Sequence, residues 1–201
     1  AALDAYFVTV CDHGMNASTF SARVTVATLS DMYSAITSAI GTLKGPLHGG
    51  ANEQVARMLL EIKSPDRLEA WLEAALASGE KIMGFGHRVY KEGDPRAKIL
   101  KAMSREITRE VGHPEMYEMS ARLEELMGQR KGLICNVDFY SASVYHSMGI
   151  PIDLFTPVFA TSRVAGWCAH VLEQYQNNRI YRPRGKYVGP TGEVYTPIDE
   201  R

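Results

Sequence analysis

The sequence predicts an all-α protein, and three observations carry that prediction. Apolar residues recur at three- and four-residue spacing along most of the chain, several helix starts are signed by a capping residue before proline, and no alternating run of strand length precedes the C-terminal tail. At 201 residues, 45% of them hydrophobic, the chain is long enough to bury a sizeable core.

The elements can be taken in order. Ser30 precedes a helix running through Tyr33, Ile36 and Ile40, and Gly49–Gly50 lead into another carrying Val55, Leu59 and Ile62. Ser64-Pro65 opens a helix with the stripe Leu68, Trp71, Leu72, Ala75 and Leu76, and Asp94-Pro95 opens one with Ile99, Leu100, Met103, Ile107 and Val111. Met116, Met119, Leu123, Leu126 and Met127 form a further stripe, which reads as adaptable core filler. Phe139 to Met148 is helical, and Thr156-Pro157 opens a last helix with Val164, Trp167, Cys168, Val171, Leu172 and Tyr175 on its buried face. Gly79, Gly112, Gly128 and Gly149 stand where helices should stop. The tail from Arg182 to Arg201 is rich in proline and glycine and carries too little periodic apolar surface to fold alone; it should trail in solvent or lie across a neighbouring subunit.

Charge and cysteine usage exclude several function classes. A net charge of −1 offers no basic field for a phosphate backbone, and charged residues interrupt every apolar run that would need to span a bilayer. Cys11, Cys135 and Cys168 are far apart and form no CxxC pair, which points to free thiols in a reducing, cytoplasmic setting. The six histidines show no HExxH, HxxxH or HxH spacing, so no metal is expected. The glycines around Phe85 lack both the third glycine and the leading strand of a dinucleotide loop.

Four stretches break the helical rhythm by setting His, Asp or Arg beside glycine or proline: CDHGMNASTF around His13, LKGPLHGGANE around His48, MGFGHRVYKEGDPR around His87 and Arg96, and NVDFYSASVYHSMG around Asp138. Singly, each has a bland reading. His13 and His48 would be polar turn residues, Asp138 a helix cap, Asp94 a cap with no chemistry, and His113 a turn residue. His146 and His170 fall within helical patterns and read as core or interface histidines.

Together, and in this order, the four stretches resemble the citrate synthase family, and so do the downstream segments TPVFATSRVAGWCAHVLEQ and NNRIYRPRGKYVGP. The resemblance runs from the first helix nearly to the end of the chain and corresponds to the C-terminal half of that family. It implies an all-α, multi-helical fold in which residues 1–53 and 155–201 belong to a large domain and 54–154 form a smaller helical lid. It implies condensation of acetyl-CoA with oxaloacetate, with no cofactor, in a homodimer whose C-terminal arm crosses to the neighbour.

Residue by residue, the resemblance makes Asp138 the base that deprotonates the thioester methyl. His48 would donate to the enolate oxygen and His87 to the oxaloacetate ketone. His13, Arg96 and Arg163 would bind oxaloacetate, Arg182 would reach the neighbour's site, and Lys81, Ile82, Met83, Gly84 and Phe85 would contact CoA. Two physical arguments stand beside this. An unperturbed aspartate, with a pKa of about 4, cannot deprotonate a thioester methyl without help at the oxygen. A histidine just before a helix also faces the positive end of its dipole, which keeps His48 neutral and able to donate. GHRVY, and Phe139 after Asp138, lean towards citrate over the sister activity on propionyl-CoA, where proline and tryptophan are usual. A non-catalytic acyl-CoA-binding module is the rival from another class.

Overall fold

The computed structural model describes residues 2–201, and among them the chain is helical without any sheet. The helices are α1 (Ala2–Val10), α2 (Ala17–Val26), α3 (Met32–Leu43), α4 (Ala51–Ile62), α5 (Leu68–Ala77), α6 (Pro95–Glu110), α7 (Pro114–Lys131), α8 (Val137–Ser147) and α9 (Phe155–Gln176). A one-residue antiparallel bridge, Phe85 with Cys135, is the sole β contact among them.

Short polar side chains set several helix starts. Asn16 accepts the Thr19 amide at 3.1 Å to open α2, and Asp31, one residue beyond the expected Ser30, accepts the Ser34 amide at 2.8 Å to open α3. Asp94 caps α6 as expected. Asn136 caps α8 through the Asp138 amide at 3.0 Å, so the Asp138 carboxylate is released from the capping role. Two other expected starts differ. Ser64 is extended and makes no capping bond, and the chain enters α5 through a short 3-10 turn, Pro65–Arg67. Thr156 lies inside α9, which begins at Phe155 after a second such turn; its hydroxyl donates to Glu53 at 2.6 Å. Gly128 is interior to α7, which ends instead at Gly132 in the left-handed region.

The packing corrects two predicted faces. α6 and α8 pack closely through small residues, with the Ser104 and Ser143 hydroxyls 2.7 Å apart. That contact turns Ala97, Leu100, Ser104 and Thr108 inward and leaves Ile99 and Val111 exposed. On α9 the buried side includes Ser162, Arg163, Gly166, Trp167 and Gln174, so Leu172 and Tyr175 face outward. Tertiary partners decided both faces, because a polar residue with a partner buries as well as an apolar one.

α2 and α3 pair and α9 lies against both, while α8 packs between α4 and α6. Tyr6, Tyr145 and Phe155 are all fully buried, and their rings meet edge to face where α1, α8 and α9 converge, with the Tyr145 centroid 4.7 Å from that of Tyr6 and 4.9 Å from that of Phe155. The bridge at Phe85 is reinforced by Gly86 N–H to the Ile134 carbonyl (2.8 Å) and Asn136 N–H to the Gly84 carbonyl (2.9 Å). These bonds fasten the His87 loop to the start of α8, which carries Asp138.

Candidate active site

One pocket of about 620 Å³ is lined by His13, His48, His87, Arg96, Asp138 and Arg163, together with Met15, Leu47, Val89, Val137 and Phe159 among others. Six residues singled out in four separate stretches and α9 therefore converge. They arrive from the α1–α2 loop, the turn before α4, the loop before α6, the first turns of α6 and α8, and the third turn of α9.

His48 sits in the turn before α4. The backbone N–H of Ser18, which can only donate, points at His48 Nε2 at 3.3 Å, and the Ser18 hydroxyl lies 2.8 Å from the same nitrogen. Nε2 is therefore an acceptor, and the proton of a neutral ring resides on Nδ1. Burial pushes this histidine down to about 4, with Arg163 and His13 adding to the effect. The neutral state expected from the helix dipole thus has burial as its main cause. Gly49 and Gly50 serve the turn itself. A Cβ on Gly49 would lie 2.6 Å from Leu43, and one on Gly50 2.8 Å from the Lys44 carbonyl. The glycines let the turn close on the end of α3.

The tautomer of His87 is fixed in the opposite sense. Its Nδ1 accepts the backbone N–H groups of Val89 (3.0 Å) and Tyr90 (3.1 Å), so the proton belongs on Nε2. Burial holds this ring below its ordinary range. His13 stands edge-on to His87 with ring centroids 5.3 Å apart, and its Nε2 is 3.3 Å from the Tyr90 hydroxyl. Burial, followed by Arg96, His87 and Arg163, pushes His13 down to about 4.

The two arginines differ. Arg96 is clamped by Asp94 through Nε–H to Oδ1 at 2.9 Å and Nη2–H to Oδ2 at 2.7 Å. Arg163 is only 1% exposed, yet among the described residues it forms no ion pair; its Nε–H donates to the Val10 carbonyl at 2.7 Å and its guanidinium lies over the Phe159 ring. A buried cation without a carboxylate is costly unless an anion completes it. Asp138 is the complementary case. Its Oδ1 is buried with no hydrogen-bond partner, and desolvation pushes the carboxyl up to about 7 against the pull of Arg96 and Arg163. Neutral histidine donors, an unpaired guanidinium and a carboxylate poised near neutrality make a pocket for proton abstraction from an anion-bearing substrate pair.

Sequence reasoning missed several supporting residues. Ser18 sets the His48 ring, and Tyr90 borders both His13 and His87. Asp94, read only as a cap, also accepts the Val137 N–H at 3.1 Å and so joins Arg96 to the start of α8. Its position two residues before Arg96 was the available signal.

The remaining predicted site residues lie elsewhere. Arg182 is exposed in the tail and donates to its neighbour's carbonyl, that of Pro183. In the segment 81–85, Lys81 is exposed, Ile82 and Phe85 are core residues, Met83 packs against the core, and Gly84 lies against Phe139 and Val55. The structure thus gives Ile82 and Phe85 a packing role. No group of three His, Cys, Asp or Glu side chains among the described residues is placed to hold a metal ion, and none of their helices is long and apolar enough to cross a membrane.

A helical scaffold presenting this pocket matches a known family. The model of the citrate synthase C-terminal domain matches residues 1–184, and the chain belongs to the citrate synthase family. It is 62% identical to citrate synthase 2 of Bacillus subtilis over 94% of this chain and 51% of that protein. It is 48% identical to the 2-methylcitrate synthase of Shewanella oneidensis over 99% of this chain and 53% of that protein. Among solved structures, the ternary complex of citrate synthase from Thermoplasma acidophilum with carboxymethyl coenzyme A and oxaloacetate superposes with a TM-score of 0.91 at 44% identity, covering all of this chain and 55% of that one. The chain spans about half the length of the curated relatives it matches.

Proposed function

We propose that the enzyme containing this chain is a citrate synthase, condensing acetyl-CoA with oxaloacetate and water to give citrate and CoA. The unpartnered Asp138 carboxyl, poised near 7 beside a neutral His48, carries the reading. Asp138 takes a methyl proton from the thioester. As charge develops on the thioester oxygen, His48 Nδ1–H donates to it, so the carboxylate need not bear the whole cost of ionising a carbon acid. The carbanion attacks the ketone of oxaloacetate, which His87 polarises through Nε2–H and whose oxygen takes that proton; water then adds to the thioester carbonyl and the C–S bond breaks, releasing citrate and CoA thiol. The carboxylates of oxaloacetate supply the anion that Arg163 lacks, with Arg96 and His13 completing that end of the pocket.

The pocket walls come from both predicted blocks: His13, His48 and Arg163 lie outside 54–154, and His87, Arg96 and Asp138 lie inside it. This supports movement of 54–154 as a lid, which would expel water around the developing charge. The proposed boundary at 53/54 falls within α4, so a hinge would sit at an end of that helix. In the proposed homodimer, the tail would carry Arg182 to the neighbouring pocket.

The second reading is 2-methylcitrate synthase, favoured by the likeness to the Shewanella protein. Phe139 is fully buried against Phe85, with ring centroids 4.6 Å apart, and is not among the residues that line the pocket. One extra methyl changes discrimination by only about 1–3 kcal/mol. Thiol release by the complete enzyme, measured with acetyl-CoA and propionyl-CoA and with and without oxaloacetate, tests both readings. Oxaloacetate-dependent release that favours acetyl-CoA supports citrate synthase, a preference for propionyl-CoA supports the sister activity, and no release overturns both.

A further inference from the structure

His170 lies seven residues beyond Arg163, two turns along the same side of α9, and outside the pocket. Its surroundings fix its protonation pattern. Arg23 Nη1, which can only donate, is 3.1 Å from His170 Nδ1; the same nitrogen also reaches the His170 carbonyl at 3.3 Å and pairs with Glu173. The Nδ1 lone pair is therefore engaged, and Nε2 carries the proton. Nε2 is 3.1 Å from Asp12 Oδ1. The other oxygen of that carboxylate, Oδ2, accepts the Gly14 N–H at 3.0 Å. Asp12 thus spans His13, held from behind by His170 and closing the turn in front.

The same side of α9 grips the end of α1 at three further points. The Ser162 hydroxyl donates to the Phe7 carbonyl at 2.6 Å, Arg163 Nε–H donates to the Val10 carbonyl, and a Cβ on Gly166 would lie 2.4 Å from the Cys11 carbonyl oxygen. Residues 7–12 are thus laid along α9, and His170 is the last contact before His13 leaves for the pocket.

We propose that His170, with its tautomer set by Arg23, is a positioning residue that acts through Asp12 to aim His13 at the keto-acid end of the pocket. In the chain Arg23–His170–Asp12–Gly14 the guanidinium and the Gly14 N–H can only donate and the ionised Asp12 carboxylate can only accept, so the chain fixes the turn more tightly than the exposed backbone would alone. Asp12 is held below the usual carboxylate range; burial opposes this but is outweighed by the Gly14 N–H and by His170. The role rests on the proposed function only for the identity of the ligand.

The test uses the complete enzyme. His170→Ala should raise KM for oxaloacetate by roughly tenfold, the worth of one charge-assisted hydrogen bond, with kcat within about twofold of the parent. His170→Gln, whose amide can donate to Asp12 and accept from Arg23, should restore KM. In a His13→Ala background, His170→Ala should add nothing further, because its effect passes through that ring. An unchanged KM, no rescue by Gln, or an equal loss in the His13→Ala background would overturn the proposal. Should His170→Ala fail to fold, Arg23→Met replaces it, with a smaller KM rise that also disappears without His13; a parent-like KM there overturns the proposal as well. A functional reading that is wrong shows in the parent as no oxaloacetate-dependent turnover. The relay is then read from the His13 ring resonances by NMR without substrate, which should move in His170→Ala and not in His170→Gln; unmoved resonances overturn it.

Discussion

The turn that opens α6 and the turn that opens α8 each present an aspartate to the same neighbourhood, and the two carboxylates are in opposite states. Asp94 receives the Arg96 guanidinium, the Arg96 N–H and the Val137 N–H. Burial would raise it, but Arg96 outweighs burial and holds it below the usual range. Asp138 receives no hydrogen bond at Oδ1, because Asn136 has taken the capping role, and burial pushes it up to about 7. The arginines divide in parallel, Arg96 paired and Arg163 unpaired. The comparison shows that residue type and helix position do not separate a paired carboxylate from an unpaired one. The count of donors aimed at it does.

The largest effect should come from Asp138→Asn, which removes the proposed base. Turnover should fall by about 10²–10⁴, with oxaloacetate binding near normal. Exchange of acetyl-CoA methyl protons with solvent, followed with an unreactive oxaloacetate analogue bound, isolates that step, and exchange at the parent rate would show that Asp138 is not the base. His48→Gly should come next, lowering kcat by roughly 10²–10³ with little change in substrate binding, since its hydrogen bond strengthens only as the enolate forms. Arg163→Leu should instead weaken oxaloacetate binding by about ten- to a hundredfold, read by titration calorimetry, because the unpaired cation loses its anion.

Asp94→Asn tests the paired side. Loss of the charge opposite Arg96 should lower stability by about 1.5–3 kcal/mol in denaturant unfolding, and a value near zero would remove the contrast with Asp138.

The smallest effect sharpens the comparison through pH. With Asp138 as the proposed base only its ionised form is active, so kcat/KM for acetyl-CoA should rise through about 7 and drop about tenfold per unit below it. Stability should respond oppositely at the two sites. For Asp138, whose pKa is raised in the folded state, the contribution is present in full below its unfolded value of about 3.9 and is lost as pH rises through about 7. For Asp94, whose pKa is depressed, the contribution is present above about 3.9 and is lost as pH falls through the folded value. Asp138→Asn should therefore raise Tm at pH 8 while lowering turnover, and an unchanged Tm would mean that the carboxyl is better solvated than its surroundings indicate.

The sequence by itself determined the helices and the order of the chemical stretches, because periodicity, capping and turn-forming glycines are local properties. Even there it erred where a neighbour decides. Asp31 outcompetes Ser30 as the cap of α3, Thr156 is taken by Glu53, and α6 and α9 turn polar residues inward against partners far along the chain. The six pocket residues were named from local stretches, and the tertiary structure alone brought them together. It alone also decided their chemical states. The protons on His48 and His87 follow from the backbone donors of Ser18, Val89 and Tyr90, and the raised pKa of Asp138 follows from burial and from which donors were spent on Asn136 and Asp94. Desolvation and hydrogen-bond direction are sums over neighbours in space, and a neighbour distant in sequence contributes to them as much as an adjacent one.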